Sequence, residues 1–415
     1  MKNITKRIFL ILLCFVMLCA LSVTLSSCSG ASGGGAVTRL YVYNWGEYIA
    51  DGSEGSLDAN EAFESWYYET YGERVEVIYS TYSSNEDMYA KLSGGAVNYD
   101  IIVPSDYMIE RLIAEDMLAP LNYDNIPNIK NIVPEFYGDD AEFDYYDEGN
   151  IYSVPYFYGM IGIIYNTEIV DEDDIGSWDL MWNEKYQGNI LQFNNSRDAF
   201  GTAQYYLGID VNSEDEAEWR LALEKLREQK DIVQGYVMDE IFNKMQNGSA
   251  AISAYYAGDF LTMYEENDSL EFYYPSEGTN LYIDAMCIPK SSQNKTVAER
   301  YINFMLTEEP AIENAMYTYY ASPNKLVRES NDYIEYMDEI KEGGYDLMYD
   351  TGDIKAIPYK NLSGERLAMV NSLWEELKSD IDVSPTIYII CAMIIGTMVF
   401  LGVFFGIRKK KRNNY

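Results

Sequence analysis

Histidine is absent from all 415 residues, and that gap removes a large share of enzyme chemistry. Ser-His-Asp and Cys-His nucleophilic sites, histidine-ligated metals and imidazole proton shuttles all require it. Basic residues are scarce as well. Lys and Arg number 30 against 67 Asp and Glu, a formal charge of −37 at pH 7. Recognition of a phosphate backbone runs on basic surface, so no nucleic-acid partner is expected. Cysteine is rare where it would matter. Of the five, Cys14, Cys19 and Cys28 fall in the first 28 residues and Cys391 in an apolar C-terminal run. Cys287 alone is left for the central region, in the strand-like run 285–288, without a disulfide partner or a Cys/His metal set. No histidine- or cysteine-based catalytic or metal site is therefore expected, and no cofactor.

What is present is apolar and aromatic. Hydrophobic residues make up 48% and charged residues 23%, with 40 tyrosines, which suits a folded chain of two or three lobes. The two ends are distinct. Lys2, Lys6 and Arg7 precede an apolar run from 8 to 21 and then Leu25-Ser26-Ser27-Cys28, the layout of a secretory signal over 1–28. Leu-Ser-Ser-Cys also resembles a bacterial lipobox, which makes Cys28 the candidate lipidation site; an ordinary signal peptide is the alternative. Residues 29–36 are small and read as a flexible tether. Residues 383–407 carry no charge, and a span over 386–407 is long enough to cross ~30 Å of hydrocarbon. The basic tail 408–415 that follows places the C-terminus in the cytoplasm and everything between the anchors outside. With the eight basic residues of the two ends set aside, 22 face 67 acids, a net charge of −45.

Between the anchors, period-two strands alternate with helical stretches. Strands are expected at 40–43, 74–81 and 100–103, with helices over 57–71, 85–92 and 106–115. That β-α-β-α-β-α order implies a parallel sheet covered by helices on both faces. An acidic loop is expected at 139–149, a long crossing strand at 156–165, and shorter strands and helices beyond. Two α/β lobes with a cleft between them is the architecture this pattern favours, with ligand beyond the strand C-termini.

Aromatic residues beside carboxylates recur at strand ends: Asn44-Trp45-Gly46-Glu47-Tyr48, Pro104-Ser105-Asp106-Tyr107, Arg197-Asp198, Tyr255-Tyr256-Ala257-Gly258-Asp259, Tyr282-Ile283-Asp284 and Tyr319-Tyr320. Ring faces attract cations, and carboxylates add charge-assisted hydrogen bonds to ammonium groups. Ring walls with an acid at each end suit a flexible diamine or triamine. The plainer alternative is that most of these tyrosines are core or rim in a chain so rich in them.

Three stretches, 40–49, 79–92 and 99–105, resemble the spermidine/putrescine-binding proteins of ABC transporters. So do Ser153-Val154-Pro155-Tyr156, Tyr256-Ala257-Gly258-Asp259, Asp284-Ala285-Met286-Cys287-Ile288-Pro289 and Ser322-Pro323-Asn324. The resemblance covers about 38–380 and implies a two-lobed periplasmic-binding-protein-like fold. Lobe 1 would comprise 37–155 and 284–325, and lobe 2 156–283 and 326–381. It implies an extracytoplasmic receptor that delivers putrescine or spermidine to ABC permease subunits, held at the membrane by lipid and span. Carried over, it makes Trp45, Tyr48, Ser105 and Tyr107 the first-lobe wall. Asp198, Tyr256 and Asp259 come from the second lobe, Tyr282 and Asp284 lie near the crossover, and Tyr320 closes the cleft. Asn195 stands where some members carry an acid, and the late polar contact that some members supply near the last helix is not placed around Gly364-Glu365. A membrane-tethered sensor and a carboxylate-pair hydrolase remain as alternatives.

Overall fold

A computed structural model describes residues 37–138, 141–350, 352 and 354–379. The signal, Cys28 and the tether, like the 386–407 span and the basic tail, lie outside the described residues. Among the described residues no helix is long and apolar enough to cross a membrane.

Nine strands form one continuous sheet: β1 Thr38–Trp45, β2 Val75–Tyr82, β3 Ile101–Ile102, β4 Ser153–Asn166, β5 Ile190–Phe193, β6 Val233–Val237, β7 Ile252–Tyr256, β8 Leu270–Tyr273 and β9 Leu281–Cys287. Their order is β2-β1-β3-β9-β4-β7-β5-β6, with β8 also on β4. β1 is parallel to β2 and β3, and β5 is parallel to β6 and β7. Two antiparallel strands join these groups. β4 pairs with β9 along Ser153–Met160 and with β7 and β8 beyond Ile161. One 14-residue strand thus belongs to both halves of the sheet, and β9 runs back beside it. The register slips between Pro155 and Phe157, where proline has no N–H to give the ladder. The parallel expectation therefore holds within each group, while the sheet as a whole is mixed.

Local chemistry sets the flanking helices. Helix Ala59–Tyr71 starts on Asp58, whose carboxylate accepts the N–H of Asn60 and Glu61, and stops at left-handed Gly72. Helix Asn85–Gly94 starts on Ser84, whose hydroxyl accepts from Asp87 N. Strand β6 and the helices Asn331–Ile340 and Gly344–Tyr349 were not expected. Gln234 and Gly235 break the apolar alternation of β6, and the two helices each bury little beyond Tyr333, Met337 and Met348.

Candidate functional site

Strands β1, β2, β3, β5 and β7 all end at one cleft, and the helices that follow β2, β3, β5 and β7 set their first turns against it. Unsatisfied N–H groups and the helix dipole make such N-termini slightly positive, a ready site for anions. This chain reverses their sign. Glu86, Asp106, Asp198 and Asp259 sit in the first turns of helices Asn85–Gly94, Asp106–Ala114, Ser196–Leu207 and Ala257–Glu266. Asp284 joins them from β9, and Asp239 stands at the start of helix Glu240–Gln246. All six carboxylates line one cavity of about 760 Å³, and no lysine or arginine lines it among the described residues.

The ten residues singled out from the sequence, Trp45, Tyr48, Ser105, Tyr107, Asp198, Tyr256, Asp259, Tyr282, Asp284 and Tyr320, all line this same cavity. Each is held by its neighbours. Trp45 follows β1 into the cleft, and its indole N–H donates to Val103 O at 2.9 Å. The same carbonyl accepts Tyr82 OH at 2.7 Å, and the Tyr82 ring packs at 4.6 Å from Trp45. Tyr48 OH donates to Asp284 Oδ2 at 2.7 Å, and Ser105 Oγ donates to Asp284 Oδ1 at 2.6 Å. Ser105 occupies the N-cap of helix Asp106–Ala114 without capping it, because its hydroxyl is turned to Asp284 instead. Asn85 steadies this corner, donating to Ser105 Oγ and to Tyr107 OH at 3.1 Å each. Tyr107 OH in turn donates to Glu86 Oε1 at 3.1 Å.

The opposite wall uses the same devices. Asn195 caps helix Ser196–Leu207 by accepting from Asp198 N at 2.8 Å, and its amide donates to Asp198 Oδ2 at 2.7 Å. Tyr256 OH donates to that same oxygen at 2.7 Å. The neutral Asn195 thus serves the cleft by orienting an acid. Tyr282 packs edge-on to Tyr256 at 5.3 Å, and Tyr320 edge-on to Tyr48 at 4.6 Å. Tyr320 lies over the start of helix Ala257–Glu266. A Cβ on Gly258 would come within 2.5 Å of its ring, so only glycine fits there.

Burial sets the electrostatics. Desolvation pushes Asp284 up to about 6, against the opposing pull of the Ser105 and Tyr48 hydroxyls. Burial raises Asp259 to about 8, with Tyr320 its only stabilising hydrogen bond and Asp239 and Glu47 adding repulsion. Asp106, only 1% exposed and bonded by Tyr145 OH, is likewise pushed by burial to about 8. Asp198 and Glu86 are also raised by burial. The nearest cation is Arg197, which lies behind the wall. It donates to Val211 O and Asn212 Oδ1 and stacks at 4.4 Å on the Tyr359 ring. An empty cleft of buried acids is strained electrostatically, and an entering cation relieves it.

Glu86, Asp106, Asp239 and Tyr359 are among the wall residues that sequence reasoning missed. Glu86 and Asp106 lay inside motifs already recognised, and their first-turn positions were the available signal. Asp239 follows β6, which broken alternation had concealed. Tyr359, buried in an irregular segment, supplies the late wall in place of Gly364-Glu365, which do not line the cavity. Gly364 instead begins the final helix, Gly364–Ser379.

Two parallel groups of strands hinged by β4 and β9 around a deep cleft define a two-lobed α/β solute receptor. Residues 60–374 match the bacterial extracellular solute-binding protein family, and the chain belongs to it. The spermidine/putrescine-binding periplasmic protein of Salmonella typhimurium is 32% identical over 327 residues, 77% of this chain and 88% of its own length. The putrescine/cadaverine-binding protein of Pseudomonas aeruginosa is 27% identical, covering 84% of this chain and 96% of its own. A solved structure from Listeria monocytogenes, described as a spermidine/putrescine ABC transporter, is 32% identical, with a TM-score of 0.71 over 82% of this chain and 99% of its own. Family membership makes this chain an extracytoplasmic binding protein and not an enzyme, so the hydrolase alternative falls.

Proposed function

We propose that the chain captures a linear polyamine, putrescine or spermidine, outside the cytoplasm and delivers it to the permease of an ABC transporter. One observation carries this reading: six carboxylates and no cation line a cavity walled by aromatic rings. An anionic or neutral solute would leave that charge unpaired. Polyamines meet it at spaced points, with methylenes against Trp45, Tyr256 and Tyr320 and ammonium groups against Asp198, Asp259 and Asp284. The likeness to the Salmonella and Pseudomonas proteins supports the same ligand class. Trp45, Tyr48, Ser105 and Tyr107 would act from lobe 1, and Asp198, Tyr256 and Asp259 from lobe 2. Tyr282 and Asp284 on β9, with Tyr320, would complete the enclosure. Because both lobes contribute, ligand stabilises the closed arrangement and presents it to the permease. A lipid on Cys28 and a span over 386–407 would keep the receptor at the membrane.

Titration calorimetry of the detergent-solubilised full-length chain tests this. Putrescine or spermidine should bind with a dissociation constant near or below about 1 μM, ~8 kcal/mol of binding energy. Binding of an acidic or neutral solute, with no heat from any polyamine, overturns the proposal.

A further inference from the structure

Beside the cleft runs a second, shallower groove that the wall residues above leave unused. Tyr43, Thr81, Tyr82, Asp87, Lys91 and Asp239 line it, around about 960 Å³ of space open to solvent. Ser83 and Asp239 line both cavities, so the groove begins where the cleft ends. Ser83 follows β2 and Asp239 follows β6, the two outermost strands of the sheet order, so the passage lies where the outer edges of the two lobes meet. Next to it the lobes touch. A Cβ on Gly46 would stand 3.2 Å from Asp239 Oδ2. The mouth is thus closed at Gly46 and open past Ser83.

Asp239 differs from the other cleft acids. It is exposed, and among the described residues no lysine or arginine pairs with it; the charged groups that interact with it, Glu240, Glu47 and Asp259, are of like sign. Asp87 lies further along the groove and accepts the Ser83 hydroxyl at 3.0 Å. Lys91 forms the far wall, its Nζ 5.2 Å from the centre of the Tyr43 ring.

We infer that this groove is an extension subsite for linear polyamines longer than a triamine, with Asp239 meeting the ammonium group that emerges from the cleft past Ser83. The inference rests on the polyamine reading above. A diamine finds partners for both ends among the enclosed acids. The three ammonium groups of a triamine meet Asp198, Asp259 and Asp284, whereas a tetraamine has a further one to place, and in a shut cleft the way past Asp239 leads onto a surface with a second acid, Asp87. Lys91 then limits reach, because a longer cation meets a like charge there.

The test compares putrescine and spermine binding to the full-length chain by calorimetry. Asp239→Asn should reduce the ratio of spermine to putrescine affinity at least about fivefold, the loss of one charge-assisted contact. Lys91→Glu, outside the cleft, should tighten spermine about threefold and leave putrescine as it was. If wild type binds putrescine but both variants leave the affinity ratio unchanged, the extension subsite is overturned and the polyamine reading stands. A wild-type chain that binds no polyamine overturns both.

Discussion

Asp284 and Asp259 face the same cleft with the same side chain, yet the chain surrounds them differently. Asp284 sits in the middle of β9, the returning strand between the lobes, and both its oxygens accept hydroxyls, from Tyr48 and Ser105. Asp259 sits in the first turn of a helix, where the backbone dipole favours a carboxylate, and Tyr320 is its one stabilising side-chain partner. The first is pushed up to about 6 and the second to about 8. Two hydroxyls oppose the burial of Asp284, whereas Asp259 has Tyr320 alone and feels Asp239 and Glu47 besides. Near neutral pH Asp284 is therefore the more ionised of the two and Asp259 the more protonated. On the polyamine reading Asp284 would serve as a preformed anchor, while Asp259 would ionise as the cation arrives.

The sharpest way to break that comparison is to neutralise each acid in turn. Asp284→Asn removes the standing charge and leaves two hydroxyls aimed at an amide, so polyamine affinity at pH 7 should fall at least about 100-fold, ~3 kcal/mol. Asp259→Asn removes a group that is already mostly neutral before binding, and the loss should be nearer tenfold. Calorimetry on both variants reads the difference directly. Equal losses would mean the two acids are equivalent, whatever their surroundings.

Proton linkage offers the next test. Asp259 begins protonated below about 8, and a facing ammonium lowers its proton affinity, so binding near pH 7 must release a proton. Affinity should then rise with pH between about 6 and 8, by at most about tenfold per unit for one proton, and level off above. Binding heats measured in buffers of different ionisation enthalpy count the released protons. Asp259→Asn should flatten the slope, except for what Asp106, also near 8, contributes.

How much of this was legible beforehand follows the same divide. Trp45, Ser105, Asp198, Tyr256 and Asp259 could be found because their motifs stand at or just beyond strand ends, where an α/β fold places its ligand, and resemble those of the family. Asp284 was visible within its aromatic-acid motif. What a linear reading could not give was pairing. Nothing in the spacing of Tyr48 and Asp284 announces that residues 236 apart share a hydrogen bond. Nor does any local signal turn the Ser105 hydroxyl away from its own helix. Asp239 and Tyr359 stayed hidden for a different reason, since a strand interrupted by glycine and an irregular late segment carry no period to read. The mixed sheet was missed because β9 returns to β4 from more than a hundred residues downstream, beyond any local pattern.

The finest test converts one side of the comparison toward the other. Tyr48→Phe keeps the ring that packs at 4.6 Å on Tyr320 and 5.3 Å on Phe157, and deletes only the hydroxyl on Asp284 Oδ2. Asp284 then has the single donor Ser105, much as Asp259 has Tyr320, and its proton affinity must rise because burial is unchanged. At pH 7 a larger share of the empty receptor would hold a neutral Asp284. Affinity should drop about fivefold, ~1 kcal/mol for one hydrogen bond to a charged group. At pH 8.5, where the acid ionises with or without the donor, the loss should shrink. That pH dependence separates the charge-keeping role of the hydroxyl from any contact it makes with ligand, since a lost ligand contact costs the same at both pH values.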